Sequence, residues 1–379
     1  MAEPWSAFVT KWTEAGVIDA DTAGRIRAYE AQQTPAATLK WPVVLALVFG
    51  ALLLGSGVLL FVSAHWDTLS PAARFGLVLG MVAVFHLGGA ATAARFPLLA
   101  TTLHAVGTVS LGAGIALAGQ IFNLDEHWPS GVMLWAIGAM AAWLLRRDAA
   151  QLGLVAILLP AWLVSEWVDD TRRWAFGQTG RVAASFVFLL AIAYFTARLR
   201  DRSNPVRRVL LWVGGLALLP AAGMVSENFG HVQTFDGNRI VAAVPLVMTI
   251  GWIVAIGLPL VVAIWTRRSA PWQLVLAAVW TLVLVNVPRE GDAWWVYAWW
   301  GLGSIAFAAW GVVEASSEQI NLGAVLFAST VLAFYFSEIM NKLDRSASLV
   351  GLGLLFLGGG WVLERARRQL IHRAKGGAS

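Results

Sequence analysis

Histidines stand beside carboxylates at two places in this chain, and that combination could handle protons. His65 and Asp67 follow the first long apolar run, and His127 follows the acidic pair Asp125 and Glu126 after the third. An imidazole near carboxylates can act as a general acid–base pair, relay a proton or bind a divalent metal. No metal-binding spacing such as HExxH occurs here. Anchoring at the membrane interface and capping of the next helix is the alternative interpretation.

Two further histidines lie in the middle of apolar runs. His86 and His104 stand nine residues before and nine residues after Arg95, which lies in a short polar break. The two runs should form antiparallel helices, which places both imidazoles at a similar depth. Ionisable residues inside a membrane are costly and usually face the interior of a bundle or a cavity. The pair is therefore a candidate intramembrane relay, or a neutral hydrogen-bonded packing contact.

Other polar residues collect at the ends of apolar runs. The predicted outer vestibule consists of seven residues at the outer ends of the first and third runs: His65, Asp67, Gln120, Asn123, Asp125, Glu126 and His127. Three carboxylates each follow a serine at the end of another run: Glu166, Glu227 and Glu338. They could form an acidic outer rim that attracts cations, or they could be solvated helix ends.

The composition indicates the class of protein that must position these residues. Hydrophobic residues make up 58% of the 379 residues and charged residues only 13%, against roughly 25% charged in soluble domains. The mean hydropathy is +0.69. Cysteine is absent, which excludes disulfides, thiolate metal sites and cysteine nucleophiles. We predict an all-α polytopic membrane protein with no metal, no cofactor and no nucleic-acid partner.

A helix needs about 20 apolar residues to cross the hydrocarbon layer, and the chain contains about twelve such runs. Ten or eleven spans also fit, because the fourth run is short and the fifth and sixth are tightly connected. The fifth run ends before Asp169 and Asp170, which are predicted to lie in a loop. The predicted spans are 42–63, 72–94, 98–121, 130–145, 150–168, 178–197, 207–227, 240–266, 271–287, 293–313, 320–337 and 347–363.

Residues 1–40 precede the first span and read as a cytoplasmic helical hairpin. Phe8 and Trp12 belong to an apolar face at helical spacing. Gly16 is a predicted C-cap, and either Asp19 or Asp21 is the predicted N-cap of the second helix. The hairpin would rest on the membrane surface or on cytoplasmic loops, or would bind a cytoplasmic protein partner.

The charges of the loops predict the orientation. With the N-terminus inside, 19 of the 27 Lys and Arg residues fall on the inner side, as the positive-inside rule requires. Both termini should then be cytoplasmic, and we expect the protein in the bacterial inner membrane. The predicted regions after the hairpin are a four-span core (41–147), a middle four-span region (148–268), a C-terminal four-span region (269–366) and a basic tail (367–379).

The sequence contains no motif that identifies a function, and only the absence of several known motifs bears on it. The chain has no Walker A loop, no dinucleotide-binding glycine loop and no serine nucleophile elbow. The first hypothesis is a secondary transporter or flippase-like carrier with a small-molecule or lipid substrate. The alternatives are a non-catalytic scaffold or stress-linked accessory protein, and a membrane-embedded enzyme acting on a lipid or lipid-linked substrate at the outer face.

Two parts of the chain resemble known families. The segments KWTEAGVIDADTAGRI, LLFVSAHWDTLSPAARF and GQIFNLDEHWPSGVMLWAIGA resemble the DUF2157 family of predicted bacterial membrane proteins. The C-terminal segment that begins INLGAVLFASTVLAFYFSEIMNKLDRSASL is similar to DUF4401. The resemblance implies membrane integration but no activity. It also implies that asparagine often stands where this chain has His65, which argues against essential chemistry there.

Overall fold

The computed structural model describes most of the chain after the first predicted span. The described residues are 4–32, the isolated positions 46, 49–50, 53, 57 and 60, and then 70–121, 127–171, 178–198, 204–227, 244–267, 272–286, 294–340 and 345–376. The first predicted span, 42–63, therefore lies largely outside them.

Every regular element in the described residues is a helix, so the predicted all-α class is confirmed. The helices are α1 (Pro4–Glu14), α2 (Ala20–Gln32), α3 (Pro71–Thr92), α4 (Pro97–Ile121), α5 (Pro129–Arg146), α6 (Ala149–Thr171), α7 (Gln178–Phe195), α8 (Pro205–Glu227), α9 (Val244–Arg267), α10 (Trp272–Asn286), α11 (Trp294–Val313), α12 (Ser317–Phe334), α13 (Arg345–Leu354) and α14 (Gly360–Gly376).

Eight helices in this part of the chain are long and apolar enough to cross a membrane: α3, α4, α5, α6, α8, α9, α11 and α12 with the turn after it. The apolar stretches of α7 and α10 are shorter, 10–17 residues. Twelve spans are therefore not confirmed, although the predicted runs from the second to the eleventh each coincide with a helix. The C-terminal run is divided between α13 and α14 by a π-helical turn, Leu355–Gly359.

Polar residues define the starts of α3 and α2. The Ser70 hydroxyl accepts a hydrogen bond from the Ala73 N–H, and Pro71 occupies the first turn of α3. In the hairpin, the Asp19 carboxylate accepts from the Thr22 N–H. Gly16 ends the turn after α1 with φ +68°, a left-handed conformation that glycine adopts without steric cost. The contacts at Asp19 and Gly16 confirm the caps predicted for the hairpin.

Neighbouring helices pack as antiparallel pairs. The closest pairs are α3 with α4, α5 with α6, α7 with α8, and α11 with α12. Helix α6 also packs on α7 and α8, which joins the N-terminal quartet α3–α6 to the larger core around α7 and α8. Helices α3, α5 and α7 run in the same direction in this arrangement. The turns that follow them, at Arg95, at Arg147 and after Arg198, therefore lie on the same side of the bundle. We call that side of the bundle the arginine-rich end.

Helices α6 and α8 run through proline without interruption. Pro160 and Pro220 both lie inside continuous α-helices. The irregular geometry lies elsewhere: α12 continues into a π-helical turn at Tyr335–Ile339. Such turns leave some backbone groups without their regular helical partners.

Candidate functional site

The predicted outer vestibule is only partly covered by the structure. His65, Asp67, Asn123, Asp125 and Glu126 lie outside the described residues. The backbone of Gln120 belongs to α4, and that of Glu227 ends α8, but their side chains are not described. Of the vestibule, His127 alone has a described side chain. Glu338 lies in the π-helical turn after α12 and is half-buried.

The two mid-span histidines are in direct contact. Nδ1 of His86 on α3 lies 2.9 Å from Nδ1 of His104 on α4. The ring centroids are 5.2 Å apart and the planes are inclined by 40°. His104 is buried, and His86 is half-buried. At this distance one Nδ1 carries a hydrogen and donates it, and the other Nδ1 accepts it.

Each imidazole packs against a glycine of the facing helix. A Cβ at Gly89 on α3 would lie 2.7 Å from the His104 ring, and a Cβ at Gly107 on α4 would lie 2.9 Å from the His86 ring. Both distances are far below van der Waals contact. Each histidine precedes its helix's glycine by three residues, so the sequence H-x-x-G occurs once in each helix. The repeated H-x-x-G pattern was a sequence signal for the contact between the two histidines, which hydropathy alone does not predict.

A buried glutamine fixes the backbone beside the pair. Gln151, near the start of α6, donates from Nε2 to the His104 carbonyl oxygen at 3.1 Å. Its Oε1 accepts from the Thr108 hydroxyl at 3.0 Å. The indole N–H of Trp135 on α5 donates to the Thr108 carbonyl oxygen at 2.8 Å. Helices α4, α5 and α6 are thus tied together next to the pair.

The charged residues nearest the pair lie at the α5–α6 turn. Nε of Arg146 donates to Oδ2 of Asp148 at 3.0 Å, and Oδ1 of Asp148 accepts from the Gln151 N–H at 2.9 Å. The ion pair therefore caps α6 one turn from the residue that contacts His104.

This geometry allows the pair to hold one additional proton. In the neutral pair one Nδ1 donates to the other, so a further proton can bind at a free Nε2. A second additional proton would put a hydrogen on both Nδ1 atoms, which face each other at hydrogen-bond distance. Nε2 of His104 is buried and has no hydrogen-bond partner among the described residues. The pair is therefore a chemically distinctive group inside a membrane span.

A second histidine cluster lies at the end of the bundle opposite the arginine-rich end. Nε2 of His127 lies 2.9 Å from Oε2 of Glu166, and its Nδ1 lies 3.4 Å from Oδ2 of Asp169. The Trp128 indole N–H donates to Oδ1 of Asp169 at 3.1 Å. The hydrogen bond to Glu166 raises the pKa of His127 above its usual value, and Asp169 adds to this against a smaller effect of desolvation.

This cluster joins residues that the sequence placed in two separate groups. His127 was assigned to the vestibule and Glu166 to the acidic rim. Asp169 was predicted to lie in a loop, and that prediction was wrong, because α6 continues to Thr171. Glu166 and Asp169 are three residues apart and therefore lie on the same face of the helix.

A third polar cluster, which no sequence pattern indicated, lies at the arginine-rich end. Glu314, in the turn between α11 and α12, forms an ion pair with Arg267 at the end of α9. Its Oε2 also lies 3.1 Å from Nη2 of Arg198, which follows α7. Nη1 of Arg267 donates to the Thr196 carbonyl oxygen at 3.0 Å. We call Arg198, Arg267 and Glu314 the arginine hub, because they hold three helix ends together.

The fold and these clusters define a polytopic helical membrane protein. Residues 10–152 match the family model described as predicted membrane protein (DUF2157). The resemblance is therefore confirmed over this part of the chain, which includes the histidine pair and Gln151. The similarity of the C-terminal part to DUF4401 remains a prediction. Comparisons with curated proteins and with solved structures gave no match.

Proposed function

We propose that the protein is a secondary carrier that binds and releases one proton at the His86–His104 pair during transport. The observation that supports this function is the 2.9 Å contact between two Nδ1 atoms inside membrane helices. Ionisable groups at such positions are costly and commonly mark proton or substrate pathways. The chain lacks a nucleotide-binding loop, so an ion gradient is the source of energy that suits it.

The exposure of the two rings supports a relay more than a static contact. His86 is half-buried, while His104 is 5% exposed. A proton that reaches the ring of His86 can be shared with His104 through the Nδ1–Nδ1 hydrogen bond. Gln151 binds the backbone of His104, so a change at His104 acts directly on α6. The pair therefore links a protonation event to a helix that packs against the rest of the bundle.

The membrane location of the proposed carrier follows from the loop charges. We place it in the bacterial inner membrane with both termini in the cytoplasm, since most Lys and Arg residues fall on one side in that orientation. The arginine-rich end would then face the cytoplasm, and the His127 cluster would face outward. Protons driven by the membrane potential would enter from the outer side.

Transport is tested by proton movement in proteoliposomes that contain an internal pH-sensitive dye. Under an imposed pH gradient, the natural protein should admit protons when a member of a panel of lipids and small amphiphiles is present. His86→Gln and His104→Gln should each reduce that coupled flux by about 100-fold, the scale of a lost proton-transfer group. Gly88→Ala, next to the pair on α3, is the matched control and should retain the flux.

Two results would contradict proton-coupled transport at the histidine pair. If no panel member moves protons through the natural protein, carrier function is contradicted. If both glutamine variants keep the natural flux, the pair is a structural contact and the proton takes another route. NMR of protein with ¹⁵N-labelled histidine adds a direct count. The pair should bind at most one additional proton over the whole pH range in which the protein stays folded, and uptake of two would contradict the shared-proton geometry.

A non-catalytic scaffold is the second candidate, and the N-terminal hairpin favours it. Phe8 and Trp12 are 54% and 44% exposed although their rings are only 6.0 Å apart. Tyr29 on α2 is also exposed. An exposed aromatic pair can bind a partner protein or the membrane surface. Deletion of residues 1–32 should then remove a co-purifying partner while membrane insertion is retained, and unchanged co-purification would oppose this candidate.

A membrane-embedded enzyme remains the third hypothesis. Its shared outer site requires His65, Asp67 and Glu126 close to His127, and the first three lie outside the described residues. In the described part, His127 contacts Glu166 and Asp169. Both ring nitrogens are thereby directed at carboxylates, so the cluster favours a structural bridge over a catalytic base.

A further inference from the structure

A large apolar groove crosses the C-terminal part of the bundle between α7, α8, α10, α11 and α12. Its volume is about 990 Å³, and it borders α11 from Val296 to Val313. At 1.5 Å per residue this length is about 26 Å, close to the roughly 30 Å thickness of the hydrocarbon layer. The groove therefore extends across nearly the whole apolar depth of a membrane.

Tryptophans form one wall of the groove. The rings of Trp280 and Trp299 are stacked, with centroids 6.0 Å apart and planes inclined by 8°. Trp300 meets Trp280 edge to face at 4.9 Å. Packed indole rings of this kind form a rigid apolar surface.

The groove is open along one side of the bundle. Three lining residues, Leu219, Leu276 and Val279, are 40%, 57% and 52% exposed. A membrane lipid can therefore insert a chain from the side without unfolding any helix. A groove that is apolar over the depth of the bilayer suits a hydrocarbon chain.

The arginine hub lies at one end of this groove. The guanidinium of Arg267 stands 4.8 Å from the Trp310 ring centroid, and its Nη2 donates to Oε1 of Gln273 at 3.1 Å. Trp310 and Gln273 both line the groove. Among the described residues, the hub combines two arginines with the one carboxylate of Glu314, so its guanidinium groups outnumber its carboxylates and leave a positive charge. Arg198 keeps 41% of its side chain exposed, so this charge is presented at the membrane interface.

We propose that the groove binds a chain of an anionic membrane lipid, with the headgroup near Arg198 at the arginine-rich end. The apolar length selects the chain, and the excess positive charge selects the anionic headgroup. The inference deepens the proposed function by naming an anionic lipid as the cargo, and in that respect it rests on that function. Binding itself is measured without transport, so the two proposals can fail separately.

Two glycines provide a matched pair of variants. Gly223 on α8 lines the groove, and an added Cβ there would meet no atom of the described residues within 4 Å. The same holds for a Cβ at Gly257 on α9, which does not line the groove. Gly223→Leu should therefore fill the groove without disturbing the helices, while Gly257→Leu adds the same side chain elsewhere.

The probe is brominated phosphatidylglycerol, compared with brominated phosphatidylcholine, titrated into the detergent-solubilised full-length protein. Bromine quenches tryptophan fluorescence on contact, and five tryptophans line the groove: Trp272, Trp280, Trp299, Trp300 and Trp310. Phosphatidylglycerol should quench saturably in the natural protein and in Gly257→Leu. Gly223→Leu should raise the half-saturating concentration about tenfold or more, the scale of overfilling a fitted space. Arg198→Gln should reduce the preference for phosphatidylglycerol.

Equal quenching by the two lipids in all variants would mean nonspecific lipid contact and would overturn the inference. The chain has no cysteine, so a cross-link offers a second test. If Gly223→Cys forms a disulfide with Gly50→Cys, the first predicted span occupies the groove and the lipid site is refuted. The lipid site requires that this pair stays reduced while phosphatidylglycerol protects Gly223→Cys from an apolar maleimide.

Discussion

Gly89→Ala should destabilise the bundle by displacing an imidazole from the histidine pair. The new methyl group would stand 2.7 Å from the His104 ring, whereas carbon atoms pack at about 3.5–4.0 Å. The ring must therefore move by roughly 1 Å, because the facing helix cannot withdraw without disturbing the whole α3–α4 contact. A shift of that size would lengthen the 2.9 Å Nδ1–Nδ1 contact beyond hydrogen-bond distance.

The size of the effect follows from three contributions. Overpacking of a fitted interior costs about 1–3 kcal/mol, and loss of the hydrogen bond adds about 1 kcal/mol. Alanine is better than glycine in a helix by up to about 1 kcal/mol, which offsets part of the loss. We therefore expect a net destabilisation of about 2 kcal/mol. Gly88→Ala receives the same helix benefit, and its methyl group would meet Leu103 at an ordinary 3.7 Å.

The assay is SDS-induced unfolding of the detergent-solubilised protein, followed by circular dichroism at fixed pH. Gly88→Ala should unfold at the same or a higher SDS fraction than the natural protein, and Gly89→Ala at a lower one. Gly107→Ala should behave like Gly89→Ala, since its methyl group would lie 2.9 Å from the His86 ring. If Gly89→Ala is as stable as Gly88→Ala, the reciprocal packing of rings on glycines is refuted.

Three more predictions concern the other polar clusters. Glu314→Gln should lower the free energy of unfolding by about 3 kcal/mol, the lower end of the range for breaking a buried ion pair. Glu364 in α14 has a side chain that is 41% exposed, so Glu364→Gln should leave the SDS midpoint unchanged. The pKa of His127 is raised, so its ion pair with Glu166 stabilises the fold fully below about pH 6.5 and less as the pH rises through the raised pKa. The difference in thermal stability between the natural protein and His127→Gln should therefore shrink at alkaline pH. A difference that grows with pH would contradict a raised pKa. Gln151→Leu should retain lipid quenching but lose proton-coupled flux in proteoliposomes, and full coupling would exclude α6 as the link.

The sequence predicted helices and their depths well because hydropathy and proline caps are local signals. The starts at Pro71 and Pro205 depend on the preceding Ser70 and Asn204, whose side chains accept from N–H groups of the first turn. The similar depth of the two mid-span histidines follows from their equal distance from the turn at Arg95. Their contact does not follow, because apolar runs give little information on how each helix is rotated about its axis.

The arginine hub shows what sequence patterns miss. Arg267 and Glu314 are 47 residues apart, and Arg198 and Glu314 are 116 residues apart. Their pairing depends on which helix ends are neighbours, and in lipid all helices are apolar on every face. The distribution of Lys and Arg residues correctly grouped these arginines at one end of the bundle. It was used only to predict the orientation of the protein in the membrane. The buried carboxylate between them was detected only from the three-dimensional packing.

Helix α6 connects the histidine pair to the groove, and this connection gives the proposed carrier a physical route for coupling. Near its start, Gln151 binds the His104 backbone. Further along, α6 packs on α7 and α8, and these two helices line the groove through residues such as Phe188 and Leu218. We propose that a proton on the pair acts on α6 through this backbone contact. A lipid chain entering the groove acts on the helices against which it packs, so both events bias the same packed unit, as coupling between separate sites requires.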